Sequence, residues 1–93
     1  MKVTINIPSP LRAYTAGNAS VELQGNSVAE ALQNLTSLYP QLQKHLRDGS
    51  GKLRSFVNIY LGDEDIRSLE FEETVLEAGD ELSIIPSMAG GTK

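Results

Sequence analysis

The residues best placed to do chemistry stand at the end of the chain, where Met88-Ala89-Gly90-Gly91-Thr92-Lys93 follows an alternating apolar segment. Glycine has no Cβ and adopts most φ/ψ combinations, so Gly90 and Gly91 can thread a channel too narrow for bulkier residues. Cleavage between Gly91 and Thr92 would turn the internal Gly91 amide into a slim terminal carboxylate, a group that a second enzyme can activate. The same residues also fit an unstructured chain end, because termini that nothing ties down are commonly disordered.

No other residue set offers a reaction centre. Cysteine is absent, which removes disulfides, thiolate-held clusters and a cysteine nucleophile. His45 is the single histidine and stands beside Lys44 and near Arg47, without a second histidine or paired carboxylates at ligand spacing. We therefore expect no metal site and read His45 as an exposed helix residue. Serines such as Ser9, Ser20 and Ser27 have no base that the sequence identifies, so a hydrolytic triad has no foundation. An enzyme is not predicted.

Charge narrows the partners. The formal charge is −4, and nine of the twelve acids lie between Asp63 and Glu81 with Arg67 as the only base among them. That stretch fits either a solvated face or a surface for docking a basic partner, where opposite charge would raise the association rate. The only basic cluster is Lys44, His45, Arg47, Lys52 and Arg54. It lacks the interleaved aromatic residues on which bases stack, so nucleic-acid binding is not expected. No stretch approaches the roughly 20 apolar residues of a membrane span, and Met1 to Ile7 alternate instead of forming a signal peptide. A soluble cytoplasmic protein that binds no membrane is the expectation.

Ninety-three residues make one small domain, in which each element must contribute to a limited core. Val3, Ile5 and Ile7 alternate with Lys2, Thr4 and Asn6, which predicts a strand over residues 2–7 that Pro8 and Pro10 end. Ala19, Val21 and Leu23 alternate again up to Gly25-Asn26, giving a hairpin whose loop, Leu11 to Gly17, should be exposed. Ser27 with Glu30 forms a capping box that starts a helix over residues 28–38. Its apolar stripe, Val28, Ala31, Leu32, Leu35, Leu38 and Tyr39, suits packing across a sheet, and Pro40 biases Tyr39 out of helical geometry. Leu42 and Leu46 suggest a shorter helical turn, and Asp48-Gly49-Ser50-Gly51 a loop. Phe56 to Leu61 is nearly continuous in apolarity, as in a central strand buried on more than one side. Ile66 to Leu69 reads as a short edge strand, and residues 81–85 as the last strand before Pro86. The order β-β-α-β-(short β)-β predicts an α+β fold, a small mixed sheet with one main helix packed across it.

This order, with the Gly-Gly pair directly after the last strand, resembles the ubiquitin-like β-grasp fold of the MoaD/ThiS family of sulfur carriers. The resemblance spans the domain and rests on Val3-Thr4-Ile5-Asn6-Ile7-Pro8 with Leu11-Arg12, Lys52-Leu53-Arg54-Ser55-Phe56-Val57-Asn58-Ile59-Tyr60, Asp63-Glu64-Asp65-Ile66-Arg67, Gly79-Asp80-Glu81 and Ile85-Pro86-Ser87-Met88-Ala89-Gly90-Gly91. Phe-Val-Asn-Ile-Tyr followed by Asp-Glu-Asp-x-Arg is similar to the branch that delivers sulfide for cysteine biosynthesis. Carriers of the molybdopterin and thiamin branches usually finish at the second glycine, whereas this chain continues with Thr92-Lys93. The resemblance thus divides the chain into a β-grasp domain, residues 1–87, and a flexible tail, residues 88–93, carrying a two-residue extension.

The resemblance implies a protein co-substrate that binds no cofactor of its own. A zinc-dependent JAMM-type metalloprotease would cut between Gly91 and Thr92. An E1-like adenylyltransferase/sulfurtransferase would then use ATP to adenylate Gly91 and convert it to a thiocarboxylate, the sulfur-attachment site. A PLP-dependent cysteine synthase would receive the sulfur, and the protease would release the cysteine formed on the tail. The family docks through an apolar patch near the tail, for which Phe56, Ile59 and Met88 are candidates, although Phe56 and Ile59 also fit the core. Two other functions use related parts: a molybdopterin synthase small subunit or thiamin sulfur carrier, and a ubiquitin-like modifier joined to lysines of other proteins. A small interaction subunit with an idle tail completes the alternatives.

Overall fold

The computed structural model describes residues 2–54 and 57–86. Alternation produces strands where it was read: β1 is Lys2–Asn6, β2 is Ser20–Gln24 and β5 is Glu81–Pro86, with β3 at Val57–Leu61 and β4 at Glu64–Asp65. Helix α1, Val28–Leu38, lies between β2 and β3, followed by a 3-10 turn at Pro40–Leu42 and the short α2, Gln43–Leu46. The capping box is present: Ser27 Oγ accepts from the Glu30 N–H at 3.2 Å, and Glu30 Oε1 accepts from the Asn26 N–H at 2.6 Å. The first bond satisfies a backbone donor that the helix start would otherwise leave open, and the second reaches one residue past the N-cap Ser27 to hold the entering chain. Tyr39 ends α1 with φ −129 and ψ 80, as its place before Pro40 requires.

Among the described residues the sheet has five strands in the order β2-β1-β5-β3-β4. β1 and β2 form the expected antiparallel hairpin, Val3 opposite Leu23 and Ile5 opposite Val21. β1 and β5 run parallel, with Ile5 opposite Leu82 and Asn6 opposite Ser83, while β3 is antiparallel to both β5 and β4. One face of this mixed sheet carries Val3, Ile5, Val21, Leu23, Val57, Ile59, Leu82 and Ile84 into the core, where they meet Val28, Ala31, Leu32 and Leu35 of α1. Close approach of helix and strand depends on Gly25: a Cβ there would stand 2.9 Å from Ala31 Cβ and 3.0 Å from Ala31 Cα, closer than real Cβ atoms come.

The structure departs from the sequence-based expectations at four places. The 11–17 segment is not a free loop: Ser9–Tyr14 is a 3-10 helix, Leu11 and Tyr14 pack against the core, and Thr15 is fully buried. Thr15 Oγ1 donates to the Arg12 and Asn18 carbonyls at 3.3 and 3.0 Å, so a polar residue closes the turn from inside. The predicted strand at Ile66 to Leu69 is a 3-10 turn, Ile66–Ser68, with β4 shifted to Glu64–Asp65. The two-residue link Gly62-Asp63 pins that register, since Leu61 pairs with Glu64 and Gly62 has φ +60, a conformation glycine adopts readily. β3 is buried on one side only, with Val57 and Ile59 inward and Asn58 and Tyr60 half-exposed, and β5 occupies the middle of the sheet. Leu38 drops out of the helix stripe at 58% exposed: within α1 the buried positions stop at Leu35, and Tyr39, Leu42 and Leu46 continue the packing after it.

Candidate functional site

Pro86 ends β5 and precedes the Gly90-Gly91 pair by four positions in the sequence, so the surfaces around the end of this strand are the first place to look for a contact with an enzyme that acts on those glycines. On β5 the side chains alternate: Leu82 and Ile84 are buried, while Ser83 is half-buried and Ile85 is 46% exposed on the opposite face. Ile85 stands opposite Asn58 and Ser83 opposite Tyr60. Hydrogen bonds stiffen this open face. Asn6 Nδ2 donates to Ser83 Oγ at 3.1 Å, and Arg67 Nη1 donates to Asn58 Oδ1 at 2.7 Å. Arg67 also lies 3.8 Å from Asp65 Oδ2. An exposed isoleucine set in a polar, hydrogen-bonded frame suits recognition by a partner, with the apolar side chain as anchor and the surrounding polar groups as rim.

Beside Pro86 lies a cleft of about 360 Å³, lined also by Pro10, Leu11, Lys44, His45, Arg54 and Val57. The basic cluster is thereby split. Arg47 turns away and pairs with Glu72, Nη2 donating to Oε1 at 2.7 Å and Nη1 to Oε2 at 3.3 Å. Arg54 Nε donates to the Lys44 carbonyl at 2.9 Å, tying α2 to the segment that leads into β3. Next to the cleft the Asp48 carboxyl is held below the usual carboxylate range, first by the Ser50 hydroxyl, then by the Ser50 and Lys52 backbone N–H groups.

Ile59 is not a docking residue: it is 1% exposed and sits in the core, because its place in β3 directs it toward α1. His45 is not an exposed helix residue either. Its ring stacks on Tyr14 at 4.3 Å between centroids and 28° between planes, a contact across thirty-one positions (45 − 14) of sequence that no local pattern predicts. Phe56, Met88, Gly90, Gly91 and Thr92 lie outside the described residues. The residue overlooked in the sequence is Ile85. Its signal was present, since alternation from Leu82 places Ile85 on the face opposite Ile84. Among the described residues no group of three or more His, Asp or Glu side chains is arranged to hold a metal ion, and no helix is long and apolar enough to cross a membrane.

Comparison with known proteins places this architecture. A family model described as the ThiS family matches residues 5–91. The sulfur carrier protein CysO of Mycobacterium tuberculosis is 40% identical over 93 residues, spanning 98% of this chain and 100% of that protein. A chain of the crystal structure of the Amycolatopsis orientalis BexX/CysO complex is similar with a TM-score of 0.87 and 38% identity, covering 96% of this chain and 99% of that one. The small archaeal modifier protein 1 of Methanosarcina acetivorans is similar with a TM-score of 0.84 and 32% identity, over 97% of this chain and 96% of its own. The fold shared with these chains is the ubiquitin-like β-grasp.

Proposed function

The chain belongs to the ThiS family of ubiquitin-like sulfur carriers, and from that premise we propose that it carries sulfur as a thiocarboxylate on Gly91 once Thr92 and Lys93 have been removed. The observation that carries this reading is the extent of the family match, which runs to residue 91 and so takes in Gly90 and Gly91 while leaving the last two residues outside. Similarity to CysO favours cysteine biosynthesis as the destination of the sulfur. The domain acts as a co-substrate, presenting its tail to enzymes that supply the catalytic groups.

Two steps account for the chemistry. A carboxylate resists nucleophiles because of its charge and resonance, so an oxygen of the Gly91 carboxylate first attacks the α-phosphorus of ATP in the E1-like enzyme and pyrophosphate leaves. Sulfide supplied by that enzyme or its donor then attacks the acyl carbon, a C–S bond forms, and the C–O bond to AMP breaks. The thiocarboxylate passes its sulfur to a PLP-dependent cysteine synthase, and a zinc-dependent JAMM-type protease both exposes Gly91 and later frees the product. Ile85 and its neighbours on the open sheet face provide the apolar contact that holds each enzyme beside the tail. That the Amycolatopsis orientalis relative was crystallised in a complex with BexX supports such pairwise docking.

Mass spectrometry tests the proposal. A chain ending at Gly91, incubated with ATP, the activating enzyme and a sulfide source, should gain the oxygen-to-sulfur mass increment on its C-terminal fragment, and the chain ending at Lys93 should gain none. Equal labelling of both, or sulfur found elsewhere, defeats it. Similarity to a small archaeal modifier protein favours a second reading, in which the same adenylate is captured by lysine amines of other proteins. Conjugate ladders in cell extract, dependent on Gly91, would mark that outcome.

A further inference from the structure

The cleft beside Pro86 has a chemical character that the open sheet face lacks. Pro10, Leu11, Val57 and Pro86 supply apolar walls, and Lys44, His45 and Arg54 stand around them with no carboxylate among the described lining residues, although the whole chain has a net charge of −4. Elsewhere Lys2 pairs with Glu22, Arg47 with Glu72 and Arg67 with Asp65, while Arg12 donates to the Ile7 carbonyl. Lys44 and Arg54 form no ion pair among the described residues. Arg54 engages the Lys44 carbonyl through Nε, which leaves its Nη groups without a carboxylate partner. Asp48 lies within its field, but Asp48 Oδ1 already accepts from Ser50 N, Ser50 Oγ and Lys52 N.

His45 adds a second, independent observation. Its Nε2 is shut off from solvent and has no hydrogen-bond partner among the described residues, a condition that native proteins rarely leave uncompensated. Stacking on Tyr14 holds the ring at the cleft wall, and a carboxylate bound in the cleft gains Nε2–H as a donor once the side chains that cover it shift aside. The same stack covers a face of the nearby tyrosine, so among the described residues the cleft offers no free aromatic platform for a nucleic-acid base.

We propose that this cleft is a second docking site, and that its occupant is an acidic segment, flanked by apolar side chains, on the enzyme that handles the tail. Carboxylates meet Lys44 and Arg54, and neighbouring apolar side chains settle against Pro10, Leu11 and Pro86. Because Pro86 both lines the cleft and ends β5, a segment held here sits beside the residues that lead to Gly91. The identity of the partner rests on the sulfur-carrier reading; the chemistry of the cleft does not.

The full chain, labelled for NMR, is titrated with the N-acetylated, C-amidated peptide Leu-Glu-Leu-Glu-Leu and with its glutamine and lysine counterparts. The glutamate peptide alone should give saturable shifts at Leu11, Lys44, His45 and Arg54, weakening as salt rises. Lys44→Glu with Arg54→Glu should lower its affinity about tenfold or more. The milder Lys44→Gln with Arg54→Gln should lower it less, and it keeps the comparison if charge reversal disturbs folding. His45→Phe preserves the stack and should lose affinity about threefold through the missing N–H. Absence of saturable shifts, equal response to the glutamine or lysine peptide, or shifts centred on Ile85 overturn the proposal. In the adenylation assay the double variant should raise KM and retain kcat. If no chain ever forms a thiocarboxylate, the sulfur-carrier reading fails while the peptide titration still decides the cleft.

Discussion

The two faces of β5 each carry an isoleucine, in opposite surroundings. Leu82 and Ile84 are at 0% and 2% exposure beneath α1, whereas Ile85 stands 46% exposed on the other side. The covered face holds the molecule together by removing apolar surface from water. The open face contributes little to that core, so its isoleucine is available to a partner. Stability and recognition can therefore be changed separately in one strand, by moving a single position along it.

Substitutions test how complete that separation is. Leu32→Ala removes a fully enclosed side chain where α1 meets the sheet, and it should lower the unfolding free energy by about 2–5 kcal/mol in urea titration. Sulfur loading of the chain that remains folded should be unchanged. Arg47→Ala comes next. It breaks a two-point pair whose side chains are only 16% and 21% exposed, and a loss of about 1–3 kcal/mol is expected, since bonds to charged groups at such sites exceed ordinary ones. The smallest stability effect belongs to Ile85→Ser, within about 0.5 kcal/mol, yet affinity for the activating enzyme, read by calorimetry or KM, should fall about tenfold. If Ile85→Ser destabilised the fold as much as Leu32→Ala, or left partner affinity untouched, the two faces of β5 would not divide these roles.

Legibility in the sequence followed the range of the interactions. Ser27 and Glu30 are three residues apart, and Val3, Ile5 and Ile7 alternate within one strand, so the capping box and the first strand could be read from neighbouring positions. The reading of Gly90 and Gly91 as a reactive tail rests on the same kind of local pattern, and both lie outside the described residues. Contacts between distant residues left no such trace. The Tyr14–His45 stack, the Arg47–Glu72 pair and the joining of Lys44 with Arg54 around one cleft all depend on how separate segments meet. Ile66 was misread because a buried isoleucine after a tight hairpin looks like strand, although its backbone turns inward at once. Ile59 was offered for docking from its apolarity, and only the register of β3 against β5 shows which way it faces.

One consequence of the parallel β1·β5 pairing concerns synthesis. The ribosome delivers β1 first and β5 last, yet the two are adjacent in the sheet, with Thr4 beside Glu81 and Asn6 beside Ser83. Until residues 81–86 have emerged, β1 and β3 lack the strand that stands between them, and the long loop that must close makes this step slow compared with forming α1. A nascent chain interrupted before that point has unpaired edges and an unfinished core, and is a ready substrate for quality-control proteases. Completion of the fold is thus tied to arrival of the very segment that leads into Gly90 and Gly91, so a chain cut short before β5 yields no folded domain to compete with the full one.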